Sequence, residues 1–137
     1  MGSLVIPSLR YHDAPAAIDW LCDALGFQRH LVVPDDKGGI AHAQLVLGDG
    51  MIMLGSVRDD EYSKIMVAMP SPDSPVTQSI YLIVDDVDGH YRRALEKGAV
   101  IVSKPTDQPY GGRLYSCRDL EGHFWNIGSY NPWRAEH

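Results

Sequence analysis

Several aspartate and glycine residues of this chain recur at a nearly constant sequence separation. This internal repeat constrains the fold more than any other feature. Residues of the same type are separated by 72 or 73 positions at three places: Asp13 and Asp86, Gly26 and Gly98, and Gly55 and Gly128. Such a repeat predicts two copies of one structural unit. The chain has 137 residues, enough for one compact domain but too few for two of ordinary size. We therefore predict a single domain, residues 1–137, built from two half-size modules.

Each copy contains the same order of predicted elements: one strand, one helix and three further strands. In the first module, residues 4–57, the alternation of side chains predicts strands at 5–11, 28–33, 40–47 and 51–55. In the second module, residues 79–130, it predicts strands at 79–84, 100–104, 113–118 and 124–128. Residues 58–78 form a proline-containing linker that could run along the surface, cover a pocket or cross to a second chain. Residues 131–137 form a tail.

The helix of each module has recognisable ends. Asp13 and Asp86 are suited to cap the helix N-termini, and Gly26 and Gly98 stand where a glycine commonly ends a helix. The predicted core-facing stripes follow helical spacing: Ile18, Leu21, Cys22 and Leu25 in the first helix, and Val87, Tyr91, Ala94 and Leu95 in the second. This assignment leaves His90 on the exposed side. On the helix-facing side we also expect Trp20, Tyr115, Cys117 and Trp125 to be buried.

Composition and charge exclude several classes of protein. The formal net charge is −6 with 12 Lys and Arg residues, which argues against binding to a nucleic-acid backbone. No run approaches the roughly 20 apolar residues of a membrane helix, and the N-terminus lacks the pattern of a signal peptide. The two cysteines, Cys22 and Cys117, do not form a disulfide framework. These features predict a cytoplasmic protein with reduced thiols and without nucleic-acid or membrane partners.

Three stretches of this sequence resemble the vicinal-oxygen-chelate superfamily, which contains glyoxalase I, bleomycin-resistance proteins, fosfomycin-resistance enzymes and extradiol dioxygenases. They are AAIDWL at 16–21 with LGF at 25–27, DLEGHFW at 119–125 and GSYNPW at 128–133, the last typical of small bacterial glyoxalase-like proteins. The resemblance covers about residues 4–130. It implies an α+β fold in which two βαβββ modules form a half-open eight-stranded barrel. It also implies a small-molecule pocket and a homodimer.

The resemblance further allows a test for a metal site. Enzymes of this superfamily hold a divalent ion with four side chains, two from each module, where the pattern requires His, Gln or Glu. The matching positions here carry Ile6, Met53, Ser79 and Asn126. Zinc, nickel, iron and manganese need imidazole, carboxylate or thiolate donors, which this set does not contain. We therefore predict a protein with no metal and no other cofactor.

Strand alternation, read together with the resemblance, predicts the side chains that line a ligand pocket. They are Ile6, Ser8, Arg10, His42, Gln44, Met53, Ser79, Tyr81, Ile83, Leu114, Ser116 and Asn126. Sparse polar groups on an apolar background are usual in small-molecule pockets. Arg10 could pair with an anionic or carbonyl-bearing ligand. His42 is the best candidate for a general base if the protein is an enzyme, because imidazole exchanges protons near neutral pH.

Different classes of function remain open at this stage. The first is a metal-free binding protein that sequesters an antibiotic or a metabolite, as bleomycin-resistance proteins do. The second is a lyase, isomerase or dioxygenase that uses unusual metal ligands or metal-free acid–base chemistry. A third, weaker interpretation is a regulatory or structural dimer with a vestigial pocket, because one fold can host many functions.

Overall fold

The computed structural model describes residues 2–134, which form two compact units, one ending at Ser71 and the other beginning at Pro72. The first unit contains β1 (Ser8–Tyr11), α1 (Ala14–Leu25), β2 (Gln28–Pro34), β3 (Ile40–Leu47), β4 (Gly50–Ser56) and a 3-10 helix (Glu61–Lys64). The second contains β5 (Ile80–Ile83), α2 (Val87–Glu96), β6 (Val100–Asp107), β7 (Arg113–Arg118) and β8 (Phe124–Gly128). The predicted α+β class and the twofold βαβββ order are confirmed.

Each unit contains one four-stranded mixed sheet. The strand order is β1-β4-β3-β2 in the first sheet and β5-β8-β7-β6 in the second. In both sheets the first strand pairs in parallel with the last, and the other neighbours are antiparallel. Parallel neighbours need a long crossover connection, and the path through the helix and the two following strands provides it. The sequence repeat is thus also a repeat of strand topology.

In the first unit, α1 packs against one face of the sheet. The Oδ1 of Asp13 accepts a hydrogen bond from the Ala16 amide at 3.1 Å, and Gly26 ends the helix at a φ of 89°. Glycine adopts this left-handed conformation at low cost. Side chains of the helix and of alternating strand positions form the core: Ile18, Leu21, Leu25, Leu9, Tyr11, Ala43, Leu45, Ile52 and Leu54. The opposite face of the sheet carries no α-helix of this unit, although the 3-10 helix places Tyr62 against it.

In the second unit, α2 covers the equivalent face. Asp86 caps this helix, its Oδ1 accepting from the Gly89 amide at 2.9 Å. The core contains Leu82, Val87, Ala94, Ala99, Tyr115, Cys117, Trp125 and Ile127. Burial, and next the charge of Asp119, raises the pKa of the Cys117 thiol to about 12. The predicted burial of Cys117 and Trp125 is confirmed, as is that of Trp20 in the first unit.

Three side-chain assignments on the helices are wrong. Cys22 is only half-buried, because the buried stripe of α1 is centred near Leu21 and leaves the cysteine at its edge. Leu95 is 49% exposed, and His90, predicted to face solvent, points its Nδ1 at the Tyr115 hydroxyl 2.5 Å away. Since residues three and four apart share a helix face, the stripe of α2 takes in His90 and excludes Leu95.

Some predicted strands differ in length from the observed ones. β1 begins at Ser8 rather than at residue 5, because its ladder with β4 begins with the Ser8–Met53 pair. β5 covers Ile80–Ile83 instead of 79–84. β6 continues to Asp107 although it contains Pro105, because its register shifts between Ser103 and Thr106. These shifts leave the faces of the paired strands as predicted.

The predicted linker, residues 58–78, contributes to both units. In the first unit, Ala68 and Met69 are buried, and the Nε2 of His12 lies 2.9 Å from the Met69 carbonyl oxygen. In the second unit, Arg118 donates to the Ser74 carbonyl at 2.9 Å. Each end of the linker is therefore held by the unit it belongs to. The last residues of the predicted tail, 135–137, lie outside the described residues.

No helix within residues 2–134 has the length and apolar character that crossing a membrane requires.

Candidate small-molecule binding faces

The sheet face opposite α1, called here the helix-free face of the first unit because no α-helix lies on it, carries five of the six predicted pocket residues of that unit; the sixth, Ile6, precedes β1. The five are Ser8, Arg10, His42, Gln44 and Met53. Ser8 and Gln44 are both cross-strand partners of Met53, so these three form one row across the sheet. Arg10 lies one row along, opposite Gly55. The register of β1, β3 and β4 thus places these side chains on one face of the sheet.

Arg10 is the most deeply buried polar residue of this face. It is only 8% exposed, and its guanidinium crosses the backbone of Gly55. A Cβ at position 55 would lie 2.2 Å from the Arg10 Nη1, so any larger residue there would displace the guanidinium from this position. A buried guanidinium is favourable when it meets π-electrons, hydrogen-bond acceptors or negative charge.

An aromatic ring from the 3-10 helix lies on Arg10. The Cζ of Arg10 is 4.7 Å from the centroid of the Tyr62 ring, and the Cζ of Arg58 is 5.2 Å from the same centroid. Both guanidinium groups therefore make cation–π contacts with one tyrosine. Arg58 also pairs with Asp60 at 3.0 Å. The residue pattern identified Arg10 but not Tyr62 or Arg58, because no strand or helix periodicity links the linker to this face.

His42 and Gln44 form a polar pair on β3. The Nε2 of Gln44 lies 3.1 Å from the Nε2 of His42, and an amide nitrogen can only donate. His42 and Gln44 are therefore joined by a hydrogen bond through these two nitrogens. This ring nitrogen of the candidate general base is engaged by a neutral amide in this arrangement.

Apolar side chains continue this face onto β2. Leu31 is the cross-strand partner of Gln44, and Val33 is the partner of His42, so both share the face of Arg10. They are 43% and 41% exposed. Sequence reasoning missed them because the register of β2 shifts after Arg29, which moves the alternation out of phase. The face thus combines a polar centre with an apolar flank, a usual composition for ligand sites.

In the second unit, the face opposite α2 carries the other predicted pocket residues, and three of them form a neutral hydrogen-bonded chain. The Ser116 hydroxyl donates to the Asn126 Oδ1 at 2.6 Å, and the Asn126 Nδ2 donates to the Ser79 hydroxyl oxygen at 2.9 Å. Ser116 and Asn126 are direct cross-strand partners, and Ser79 immediately precedes β5. Leu114 pairs with Gly128 in the same ladder.

The two remaining predicted residues of this unit are Ile83, which pairs with Gly128 and is 42% exposed, and Tyr81, which is held by the chain after β8. The Tyr81 hydroxyl donates to the Tyr130 carbonyl oxygen at 2.6 Å. Partial burial, followed by the neighbouring tyrosines Tyr110 and Tyr130, raises the pKa of Tyr81. The Tyr81 hydroxyl is thus a fixed hydrogen-bond donor rather than an acid that ionises near neutral pH.

The four positions that would hold a metal do not form a donor set. In the second unit, the Asn126 carbonyl oxygen accepts from Ser116, and the amide of Asn126 is directed at the Ser79 hydroxyl. In the first unit, Ile6 precedes β1, and Met53 presents a thioether. Neutral hydroxyl, amide, thioether and alkyl groups do not replace the imidazole and carboxylate ligands of these ions. In the part of the chain that the structure describes, no group of three or more His, Cys, Asp or Glu side chains could hold a metal ion.

Comparison with known proteins agrees with this architecture. The family sequence model of the Glyoxalase/Bleomycin resistance protein/Dioxygenase superfamily matches residues 3–127 of this chain. The chain belongs to this superfamily. An uncharacterized protein of Mycobacterium bovis is 35% identical over 123 residues, which cover 89% of this chain and 80% of that protein.

Solved structures of the superfamily fold are similar along nearly the whole chain. TioX from Micromonospora sp. ML1 is 33% identical, with a TM-score of 0.71 over 95% of this chain and 100% of that one. The fosfomycin resistance protein FosX from Listeria monocytogenes has a TM-score of 0.69 over 97% of both chains. At 12% identity this second likeness concerns the fold alone. Superfamily membership leaves the ligand and the chemistry open, since they depend on the side chains of each member.

Proposed function

We propose that this protein is a metal-free member of the superfamily that binds and sequesters a small organic anion, either an antibiotic or a metabolite. The observation that carries the proposal is the burial of Arg10 on the helix-free face of the first unit, beside the second guanidinium of Arg58. A guanidinium holds a carboxylate through two parallel N–H···O bonds, which are stronger away from water. A cationic ligand is disfavoured because the buried guanidinium of Arg10 would repel it, whereas the charge of Arg58 is already opposed by Asp60.

The surroundings of Arg10 suit the remainder of an organic ligand. Leu31, Val33 and Met53 offer apolar contact area, and Gln44 offers an amide that can donate or accept. Ligand sites commonly combine an apolar lining with a few polar groups that set orientation. These neighbours support an anion with an apolar body rather than a small inorganic ion.

The surroundings of His42, the candidate general base, favour a binding function over catalysis. The His42 Nε2 is hydrogen-bonded to Gln44, and the neutral groups at the superfamily's metal positions are unsuited to a divalent ion. A general base needs a lone pair within reach of the proton that it removes. The hydrogen bond with Gln44 suits a histidine that lines a site and orients the neighbouring amide.

We also propose that the protein acts as a cytoplasmic homodimer. The resemblance to the superfamily implies the dimer, and Trp133, which is 90% exposed, offers an apolar surface that a second copy could cover. Cys22 and Cys117 are not in a disulfide, which suits a reducing compartment.

Replacing Arg10 tests the proposed anion site. We expect Arg10→Met to weaken binding of 2-naphthoate, a planar aromatic carboxylate, by at least about tenfold in isothermal titration calorimetry, because the charge-assisted hydrogen bonds are lost. Neutral 2-naphthamide should bind the wild-type protein more weakly than the carboxylate does. Arg92→Met is the matched control, since Arg92 is exposed on α2 in the other unit. Equal affinity of the Arg10→Met variant and the wild-type protein would contradict this assignment.

A measurement of metal content separates the binding protein from an enzyme with unusual metal ligands. We expect untagged protein, purified with zinc, nickel, iron and manganese offered, to retain well below one ion per chain by mass spectrometry. The reason is the neutral donor set at Met53, Ser79 and Asn126. Retention of about one ion per chain after dialysis against a chelator would overturn the metal-free proposal.

A further inference from the structure

The side chain stacked on Arg10 comes from a short segment that is otherwise weakly attached. We propose that the Tyr62 ring occupies the place where the ligand binds. The natural ligand is a planar aromatic anion that displaces this ring from Arg10 and Arg58. The inference rests on the proposed function and specifies its ligand class. In this inference Tyr62 competes with the ligand for the two arginines and thereby lowers the affinity of the site for the ligand.

The geometry of the tyrosine explains why an aromatic ligand would compete with it. Its ring centroid lies 4.7 Å from the Arg10 Cζ and 5.2 Å from the Arg58 Cζ. The ring therefore contributes cation–π contacts to two guanidinium groups, one of which, Arg58, also pairs with Asp60. An aromatic ring that also bears a carboxylate can make the same stacking contacts and add a bidentate ion pair. The intramolecular contact is thus a weaker version of the contact that the ligand would make.

The segment that carries Tyr62 can leave without unfolding the sheet. The hydroxyl of Tyr62 donates to the Met66 sulfur at 3.3 Å, within the same segment. No residue of the 3-10 helix is buried, and Ile65 and Val67 are 83% and 65% exposed. Movement of the helix would therefore expose little apolar surface. Loop motions of this kind are fast compared with global unfolding.

Both ends of this segment are held independently of Tyr62. The Val57 amide donates to the Tyr11 carbonyl at 3.0 Å, at the end where the chain leaves β4. At the other end, Met69 is buried and its carbonyl oxygen lies 2.9 Å from the His12 Nε2. With both ends fixed, outward movement of Tyr62 uncovers Arg10 and keeps the ring close by.

A different role for Tyr62 makes the opposite prediction. If the ring were a wall of the site that stacks on the bound ligand, its removal would weaken binding. If the ring is a competitor, its removal strengthens binding. The sign of the change in affinity therefore distinguishes the two roles, independently of the identity of the natural ligand.

The experiment measures the affinity of 2-naphthoate for the full-length protein by isothermal titration calorimetry. We expect Tyr62→Ala to bind it about tenfold more tightly than the wild-type protein, because two cation–π contacts no longer compete. Tyr62→Leu, which retains apolar volume but no π-electrons, should tighten binding in the same direction. Ile65→Ala is the matched control from the same segment and should keep the wild-type affinity, since this side chain is 83% exposed. The Tyr62 substitutions should raise the affinity for cyclohexanecarboxylate, which has no aromatic ring, less than they raise the affinity for 2-naphthoate.

The outcomes separate this inference from the proposed function. Binding of 2-naphthoate to the wild-type protein with equal or weaker binding to both Tyr62 variants would overturn the inference and leave the anion site in place. Failure of the wild-type protein and of both variants to bind any aromatic carboxylate would overturn the proposed function as well. Tighter binding by both variants, with unchanged affinity for Ile65→Ala, supports both.

Discussion

Asp119→Ala should lower the free energy of unfolding by about 3 to 4 kcal/mol, because it removes the acceptor of several buried hydrogen bonds at once. Asp119 is 3% exposed. Its Oδ1 accepts from the amides of Glu121 and His123, each at 3.0 Å, and its Oδ2 accepts from the Trp125 Nε1 at 3.0 Å. One carboxylate therefore closes the β7–β8 turn and satisfies the indole of a fully buried tryptophan. Urea denaturation followed by circular dichroism and tryptophan fluorescence measures the loss.

The corresponding turn of the first unit provides the control. Asp49 occupies the β3–β4 turn and is exposed, so Asp49→Ala should change stability by no more than about 0.5 kcal/mol. A second comparison uses the partner of the buried carboxylate. In a Trp125→Phe background, where the indole donor is absent, Asp119→Ala should cost at least about 1 kcal/mol less than in the wild-type background. Similar losses for the two aspartate variants would show that the Asp119 network contributes little.

Gly128→Ala should destabilise the protein by about 2 to 3 kcal/mol, since the added methyl group has no space. A Cβ at this position would lie 2.8 Å from the Tyr81 hydroxyl oxygen and 2.9 Å from the carbonyl oxygen of Arg113. The tyrosine can rotate, but the carbonyl belongs to the neighbouring strand β7 and cannot move without disturbing the ladder. Denaturant unfolding, with the midpoint and slope both recorded, gives the change in stability.

Gly50→Ala is the matched control for this substitution. Gly50 begins β4, and a Cβ there would meet only the Leu47 carbonyl oxygen, at 3.4 Å, an ordinary contact. Its loss should not exceed about 0.5 kcal/mol. Combining Gly128→Ala with Tyr81→Phe should recover only part of the stability, because the clash with Arg113 remains. Full recovery in the double variant would mean that the tyrosine hydroxyl is the whole obstacle.

The sequence pattern predicted the architecture well because the relevant signals are local and occur twice. Asp13 and Asp86 cap the helices as expected, and β3, β7 and β8 have the predicted bounds. A period of two along the regular strands β3, β4, β7 and β8 was enough to separate core residues from those of the opposite face. The buried faces of the helices were harder to predict, because the same sequence allows an apolar stripe to be centred on more than one residue. That is why His90 and Leu95 were assigned to the wrong sides.

The candidate site was predicted only as far as the regular strands reach. Alternation placed Arg10, His42 and Gln44 on one face. Leu31 and Val33 were missed because the irregular register of β2 breaks the pattern. Tyr62 was missed because it belongs to a 3-10 helix in the linker, where periodicity carries no information about what the side chain touches.

The sequence by itself determined the repeated βαβββ order and the superfamily, since caps, strand periods and motif residues are properties of nearby residues. Only the tertiary structure decided that Asn126 bonds Ser79 and Ser116, and that Tyr62 lies on Arg10. These contacts join residues far apart in the chain. Their geometry depends on strand register and on how the linker folds back, which residue types alone do not specify.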